Sequence, residues 1–206
     1  MKFKEYPLSP QLKQNIEKAG FRRPTDIQYK AIPHILRGED VLAVAQTGTG
    51  KTAAFAIPLV QKLQSFKENQ RRRDGIKALV LVPTRELAVQ ITKVFKALTT
   101  NTGVRVYGLL GGVDQDPQKQ KLEKGLDLLI TTPGRMFDLR HQGDLRLERV
   151  ETLVIDEADQ MLGLGFVQDV RDLLKILPKR RQTLFFSATI NEEIKKLAYT
   201  LTRKPI

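Results

Sequence analysis

Residues 45–52 carry the residue types needed to hold a chain of phosphates. Gly48 and Gly50 allow a tight turn whose backbone N–H groups point inward, the geometry that binds phosphate oxygens. Lys51 reaches the terminal phosphates of a nucleotide, and the Thr52 hydroxyl is a ligand for Mg²⁺. A glycine-rich turn with a solvated lysine is the competing interpretation, but the loop lies between an apolar run and a helical pattern, which favours phosphate binding. The residues of this loop are Ala45, Gln46, Thr47, Gly48, Thr49, Gly50, Lys51 and Thr52.

Two adjacent carboxylates follow the apolar run 152–155. Asp156 is placed like the metal-supporting aspartate of P-loop ATPases, and Glu157 is placed to polarise the water that attacks a γ-phosphate. A capped helix start also favours acidic residues, but it does not account for the phosphate loop upstream. We therefore predict that Lys51, Asp156 and Glu157 are catalytic, with Mg²⁺ held by Thr52 and Asp156, partly through water.

An aromatic residue and a glutamine upstream of the loop suit the recognition of adenine. Phe21 offers a flat face for stacking, and the Gln28 amide both donates and accepts, as the N6 and N7 edge of adenine requires. Each residue has a simpler interpretation: Phe21 as part of the core, and Gln28 as a solvated helix residue or a cap for the loop.

Six continuous apolar, β-branched segments with helical patterns between most of them predict an α/β fold with a mostly parallel central sheet and helices on both faces. Ligands of such sheets bind beyond the carboxyl ends of the strands. Thr84, Thr132 and Gly134 offer hydroxyls and backbone N–H groups there, which suit phosphates. Arg85 and Arg135 add positive charge, although each also suits a salt bridge or a helix cap. The strands are expected at 41–45, 78–82, 104–109, 126–131, 152–155 and 183–187.

Composition limits the class of protein. A chain of 206 residues is long enough for one α/β domain with a buried core. Its 35 lysines and arginines against 23 acidic residues give a net charge of +12, which favours a polyanionic partner, nucleic acid first. The absence of cysteine excludes disulfides and thiolate zinc sites. No apolar run is long enough to cross a membrane.

Taken together, these residues resemble the DEAD-box family of ATP-dependent RNA helicases over essentially the whole chain. Residues 156–159 read Asp-Glu-Ala-Asp, which is the family's name in one-letter code. The family's Q motif resembles residues 21–28, with Phe3 as its upstream aromatic, and its motif I resembles residues 45–52. The resemblance implies a three-layer RecA-like P-loop domain.

The resemblance also implies roles for single residues. Besides the phosphate loop, the implied ATP-binding residues are Phe21, Arg23 and Gln28. The implied RNA-binding residues are Pro83, Thr84, Arg85, Gly111, Gly112, Thr132, Pro133, Gly134 and Arg135. The implied residues that couple ATP state to RNA are Asp159, Ser187 and Thr189.

Residues 1–206 are expected to be a single N-terminal RecA-like domain of a longer helicase, because nothing after Thr189 resembles the second RecA-like domain. Within it we expect a Q-motif helical region at 1–38, a core at 39–201, and the start of the interdomain linker at 202–206. The family's arginine finger belongs to the second domain, so this chain alone is expected to be nearly inactive.

The implied function is to bind ATP, Mg²⁺ and RNA, and to couple ATP hydrolysis to RNA unwinding or remodelling together with a C-terminal RecA-like domain. RNA is expected to bind through its backbone, independently of sequence. We expect a cytoplasmic monomer without membrane contact. Two other functions stay open: an RNA clamp that needs ATP binding but no strand separation, and a DNA-directed P-loop motor.

Overall fold

A computed structural model describes residues 2–68, 75–109 and 120–206. Six described strands form one sheet in the order β1-β6-β5-β2-β4-β3, and every adjacent pair is parallel. The predicted α/β fold is therefore confirmed. The strands are β1 (Val41–Val44), β2 (Ala78–Leu81), β3 (Val106–Leu109), β4 (Leu128–Thr131), β5 (Thr152–Ile155) and β6 (Gln182–Ser187).

The strand ends differ from the predicted ones by up to two residues, most clearly at the beginnings of β3 and β4. There the carbonyl of Arg105 accepts from the N–H groups of both Asp127 and Leu128, at 3.0 and 3.1 Å. The Asp127 carboxylate in turn accepts from the Arg105 N–H at 2.7 Å. One carbonyl shared by two N–H groups interrupts regular pairing, so each strand begins after this junction although the apolar pattern begins before it.

Eight described helices cover the sheet. Helices α1–α4 pack on one face, and helices α5–α8 pack on the other. A 3₁₀ helix, Phe3–Glu5, precedes them. The helices are α1 (Pro10–Lys18), α2 (Asp26–Leu36), α3 (Lys51–Glu68), α4 (Arg85–Leu98), α5 (Pro133–His141), α6 (Ala158–Gly163), α7 (Val167–Ile176) and α8 (Glu192–Leu201).

Short polar side chains fix where several helices begin. The Ser9 hydroxyl accepts from the Leu12 N–H at 3.2 Å at the start of α1. Thr84 accepts from the N–H of Leu87 at 3.2 Å at the start of α4. Such caps satisfy backbone donors that have no partner within the helix, and each contributes about 0.5–2 kcal/mol.

The central strands β2, β4, β5 and β6 are buried at every position. Alternate residues point to opposite faces: Val80 and Val154 enter the core under α1–α4, whereas Leu79 and Leu153 enter the core under α5–α8. Burying each aliphatic side chain contributes about 1.5–3 kcal/mol. The sheet is therefore a rigid base for the loops that leave its carboxyl edge.

The last residues of the chain lie beside the edge strand β1. The Ile206 N–H donates to the Asp40 carbonyl at 3.0 Å, and the Leu42 N–H donates to the Ile206 carbonyl at 2.9 Å. The Asp40 carboxylate also accepts from the Arg203 N–H at 2.6 Å. The segment expected to begin a linker is thus hydrogen-bonded to the sheet, and the boundary at residue 202 stays a prediction. Among the described helices, none is long and apolar enough to span a membrane.

Candidate active site

The phosphate loop connects β1 to α3 at the carboxyl edge of the sheet. Its first residue is tied to the neighbouring strand, because the Ala45 N–H donates to the Ser187 carbonyl at 2.9 Å. Gly48 and Gly50 have φ angles of 86° and 95°, in the left-handed region that glycine adopts without strain. Residues 46–49 are exposed. The loop therefore presents its backbone to solvent at the N-terminus of an 18-residue helix, a favourable place for an anion.

Gln28 is buried beneath this loop and exposes only 2% of its surface. Its Nε2 donates to the Gly50 carbonyl at 3.0 Å, and its Oε1 accepts from the Thr25 N–H at 3.0 Å. A Cβ added to Gly50 would collide with the Gln28 Nε2 and would also stand on a left-handed backbone, so glycine suits this position. These contacts make Gln28 a cap for both α2 and the phosphate loop. One amide N–H and one oxygen lone pair remain for another partner.

Lys51 and Asp156 bring buried charges to the loop. Lys51 exposes 6% of its surface, and its Nζ has no hydrogen-bond partner in the described part of the chain. Asp156 exposes 2% and accepts from the Glu157 N–H at 2.9 Å. Burial raises the pKa of Asp156 to about 6, although the positive charge of Lys51 opposes this shift. A buried ammonium without a hydrogen bond is costly by itself, and it fits a site built for phosphate oxygens.

Glu157 follows Asp156 in a strained backbone conformation. Its φ and ψ are 52° and 51°, the left-handed region that side-chain-bearing residues rarely adopt. Its Oε1 accepts from the Thr47 hydroxyl at 3.4 Å, which places its carboxylate beside the exposed part of the phosphate loop. Strain at a residue of this kind is common where a side chain has to be aimed.

Asp159 joins the acidic sequence to the end of β6. Its Oδ2 accepts from both the N–H and the hydroxyl of Thr189, each at 3.0 Å. Burial alone would raise the pKa of Asp159, but hydrogen bonds from the Thr189 hydroxyl and from neighbouring backbone N–H groups outweigh it and hold the pKa below its ordinary value. Ser187 is fully buried at the end of the same strand. The three residues assigned to coupling thus lie where the carboxyl ends of β5 and β6 meet.

The predicted RNA-contacting residues occupy the starts of α4 and α5. Pro83 and Pro133 are buried, whereas Arg85 and Gly134 are exposed. Thr84 and Thr132 are the N-cap residues of the two helices. Arg135 exposes 6% of its surface, and its Nε and Nη2 have no partner among the described residues. Gly111 and Gly112 lie outside the described residues.

Phe21 belongs to a small cluster of aromatic side chains near the N-terminus, together with Phe3 and Tyr6. Its ring meets that of Phe3 edge-on, with centroids 6.3 Å apart, and it also packs against the core under α1–α4. A cavity of about 710 Å³ is lined in part by Phe3, Phe21, Arg22 and Arg23. Phe21 therefore packs against the core and also lines a cavity, so part of its ring can still contact a ligand.

A family model described as DEAD/DEAH box helicase matches residues 25–197. The chain belongs to the DEAD/DEAH box helicase family. The DEAD-box ATP-dependent RNA helicase CshA of Bacillus cereus is 41% identical to this chain over 203 residues. The aligned region covers 98% of this chain and 38% of CshA. The ATP-dependent RNA helicase RhlB of Pseudomonas putida is 43% identical over 208 residues, covering 99% of this chain and 52% of the relative.

A solved structure supports the same family. The crystal structure of a DEAD box protein from the hyperthermophile Methanococcus jannaschii is similar to this chain, with a TM-score of 0.92 and 39% sequence identity. The match covers 100% of this chain and 55% of the chain in that structure. The RecA-like α/β fold is thereby confirmed. This DEAD/DEAH box chain spans 38% of the length of CshA, which leaves most of that relative without a counterpart here.

Sequence reasoning left the loop-capping contact of Gln28 as one of two alternatives, and it missed a second contact that shapes the site. The bond between Gln28 and the Gly50 carbonyl joins residues 22 positions apart, and that between Thr47 and Glu157 joins residues 110 apart. The glutamine three residues after Thr25 has the spacing of a capping box, which predicts its bond from the Thr25 N–H but not its bond to the Gly50 carbonyl. Nothing local indicates the second.

Proposed function

We propose that this chain is the ATP- and RNA-binding half of an ATP-dependent RNA helicase. The observation that carries the proposal is the Lys51 ammonium, buried without a hydrogen-bond partner in the described structure, at the start of α3 and acting on a buried Asp156. A terminal phosphate of ATP would supply the missing partner. The names of CshA and RhlB, both ATP-dependent RNA helicases, support the same substrate and energy source.

Mg²⁺ fits the same place. Thr52 would offer its hydroxyl, and Asp156 would offer its carboxylate, partly through water. The described residues contain no group of three or more His, Cys, Asp or Glu side chains that could hold a metal alone. This suits Mg²⁺, which binds through one or two carboxylates together with substrate phosphates. When bound, the ion would neutralise charge on the phosphates.

The remaining residues divide the work of hydrolysis. Lys51 and the loop N–H groups would hold and orient the phosphate chain, and the Glu157 carboxylate would accept a hydrogen bond from the attacking water. The burial of Lys51 and Asp156 strengthens their electrostatic interaction with the phosphates and the ion. An arginine finger contributes about 10³–10⁵ in rate in related phosphoryl-transfer sites. Because that group is assigned to the second domain, this chain alone is proposed to turn over ATP slowly.

Adenine recognition is proposed for Phe21 and Gln28. Phe21 would stack on the base, and Gln28 would use the N–H and lone pair that its bonds to Thr25 and Gly50 leave over. Arg23, beside the cavity next to Phe21, is proposed as a further ATP contact.

RNA is proposed to cross the starts of α4 and α5. Exposed Arg85, the hydroxyls of Thr84 and Thr132, and the backbone at Gly134 suit phosphates and sugars, so binding should not depend on sequence. A C-terminal RecA-like domain of the same longer chain would complete the RNA surface. The proposal takes residues 1–38 as the Q-motif region, residues 39–201 as the core and residues 202–206 as the approach to that domain. It also takes the protein to be a cytoplasmic monomer.

The test is a titration of fluorescently labelled ATP and ADP, with Mg²⁺, against wild type and Lys51→Ala. Loss of a charge-assisted phosphate contact costs about 1.5–3 kcal/mol, so we expect the affinity to fall by about 10- to 150-fold. Lys30→Ala is the matched control, because Lys30 is exposed and forms a salt bridge with Asp26 on the outside of α2. Equal affinities for the two variants would refute the proposed nucleotide site.

A further inference from the structure

Three cations gather at the edge of the sheet opposite the phosphate loop. Lys62 comes from α3, and Arg180 and Arg181 immediately precede β6. They line a cavity of about 460 Å³ together with Gly38, Glu151 and Gln182. We call Lys62, Arg180 and Arg181 the rear-edge cluster. Because β6 has six residues, this edge lies about 20 Å from the carboxyl edge.

Two carboxylates, Glu151 and Asp40, act on the rear-edge cluster from nearby, but they are fewer than its cations. Glu151, the acidic residue of the cavity, is already paired with Lys77 at 2.8 Å. In the described part of the chain, no carboxylate forms a salt bridge with Lys62, Arg180 or Arg181. The surplus cations therefore attract an anion from outside the described structure.

The environment of the rear-edge cluster lowers the pKa of two of its cations, Lys62 and Arg181. Burial lowers the pKa of Lys62, with Glu151 and Asp40 opposing the shift. Burial also lowers the pKa of Arg181; Asp40 opposes this shift, and neighbouring Arg203 adds to it. A bound anion would favour the charged form of each group.

The donors of the cluster are held in place by the protein. The Lys62 Nζ donates to the Gln182 Oε1 at 2.5 Å. Gln182 is itself fixed, since its Nε2 donates to the carbonyls of Ile35 and Glu39 at 3.1 and 2.6 Å. The Arg181 Nη1 donates to the Pro178 carbonyl at 2.8 Å, while its buried Nε has no partner in the described structure. Cations with fixed orientation lose less entropy when an anion binds.

We propose that the rear-edge cluster is a second contact surface for RNA phosphates, distant from the ATP site. No aromatic side chain lines this cavity among the described residues, so bases would not stack there and the contacts would be with the backbone. None of the exposed large apolar residues of the described chain lines this cavity, which favours a polyanion over a lipid surface. The inference rests on the proposed function only in taking RNA as the polyanion.

The test is binding of a labelled single-stranded RNA of about 30 nucleotides, followed by fluorescence anisotropy over a range of salt concentrations. Each phosphate contact with a single strand adds about 0.7 to the slope of log K against log salt concentration. The double variant R180Q/R181Q should bind about three- to tenfold more weakly at low salt, with a slope smaller by about 1.4. R180Q alone changes only an exposed side chain, and its slope should fall by about 0.7.

The matched control is K195Q/K196Q, which removes the same charge from the exposed face of α8. R85Q separately tests the RNA surface assigned under the proposed function. Thermal denaturation and ADP affinity establish that each variant is folded. Weaker RNA binding by the two rear-edge variants, with the control unchanged, supports the proposal.

Four results would overturn the proposal. In the first, R85Q binds weakly while R180Q/R181Q binds normally; the proposed function then stands without a rear-edge site. In the second, no variant alters binding, and the front RNA surface fails as well. In the third, R180Q/R181Q and K195Q/K196Q weaken binding equally, which is a general effect of charge. In the fourth, R180Q/R181Q loses binding to vesicles of anionic phospholipid but keeps RNA affinity, which identifies a lipid surface.

Discussion

Replacing Gln28 by glutamate tests whether this side chain supports the phosphate loop. The two side chains have nearly the same shape, so packing beneath the loop is preserved. An ionised glutamate still accepts from the Thr25 N–H, but it has no proton to donate to the Gly50 carbonyl. A carboxylate oxygen would instead face that carbonyl oxygen, at a position that is 3.0 Å from it in the wild type.

The expected cost follows from burial. Gln28 exposes 2% of its surface, so water cannot replace the lost donor. Leaving a buried acceptor without a partner costs about 1–3 kcal/mol, and burying a charge adds to this. We expect Gln28→Glu to lower the free energy of unfolding by about 2–3 kcal/mol, which for a domain of this size lowers Tm by about 4–12 °C. ADP should bind about tenfold more weakly, because the loop loses its support.

The assay is thermal denaturation without nucleotide, followed by an ADP titration. Gln90→Glu makes the same chemical change on the exposed face of α4 and is the control. If the two variants share the Tm and ADP affinity of wild type, Gln28 does not hold the loop and the reasoning fails.

Gln28→Ala separates support of the loop from recognition of the base. If the amide also reads adenine, ATP should lose about 1–3 kcal/mol more than GTP, which presents a carbonyl where adenine has its N6 amine. Competition titrations of ATP and GTP on wild type and variant decide the matter. A constant ATP/GTP ratio would mean that Gln28 only caps the loop.

Two further predictions concern stability. Burial alone would raise the pKa of Asp127, but hydrogen bonds from Arg105 and Lys67 hold it below its ordinary value. Asp127→Asn should therefore cost about 1–3 kcal/mol at pH 7. The deficit should shrink as pH falls below about 4, where the unfolded chain takes up a proton, and it should be lost below the lowered pKa of the folded wild-type carboxyl. Denaturant unfolding at several pH values checks this, and a pH-independent deficit would contradict it. Asp159→Ala should cost about 0.5–1.5 kcal/mol, because Thr189 is exposed and water can replace its lost partner. A double-mutant cycle with Thr189→Ala should show coupling rather than additivity in Tm.

The fold was predictable because its signals are local. Continuous apolar runs such as 152–155 identify buried strands, and their alternation with helical patterns predicts parallel pairing. The phosphate loop was equally predictable, because Gly48 and Gly50 allow the tight turn and Lys51 supplies the positive charge that phosphate binding requires. The beginnings of β3 and β4 were harder to predict, because the Arg105 carbonyl is shared by the N–H groups of Asp127 and Leu128, which are at least 22 residues away in the chain.

Features that arise from long-range packing were not predictable. A sequence shows that Arg135 follows a strand end, but not that its guanidinium is buried with two nitrogens lacking partners in the described structure. Nor does it show that Glu157 adopts a left-handed backbone, which a glycine would have signalled. The rear-edge cluster was also missed, because Lys62 and Arg181 are remote in the chain and meet only when α3 packs beside β6.

The left-handed backbone of Glu157 has a consequence for engineering this domain. Such a conformation costs a side-chain-bearing residue about 1–3 kcal/mol, and glycine avoids most of this cost. A library selected only for heat resistance would therefore enrich Glu157→Gly and discard the carboxylate proposed to activate water. Selection for thermal stability and selection for ATP turnover therefore favour different residues at position 157. A stabilised version of the domain has to keep Glu157 and gain its stability from substitutions at other positions.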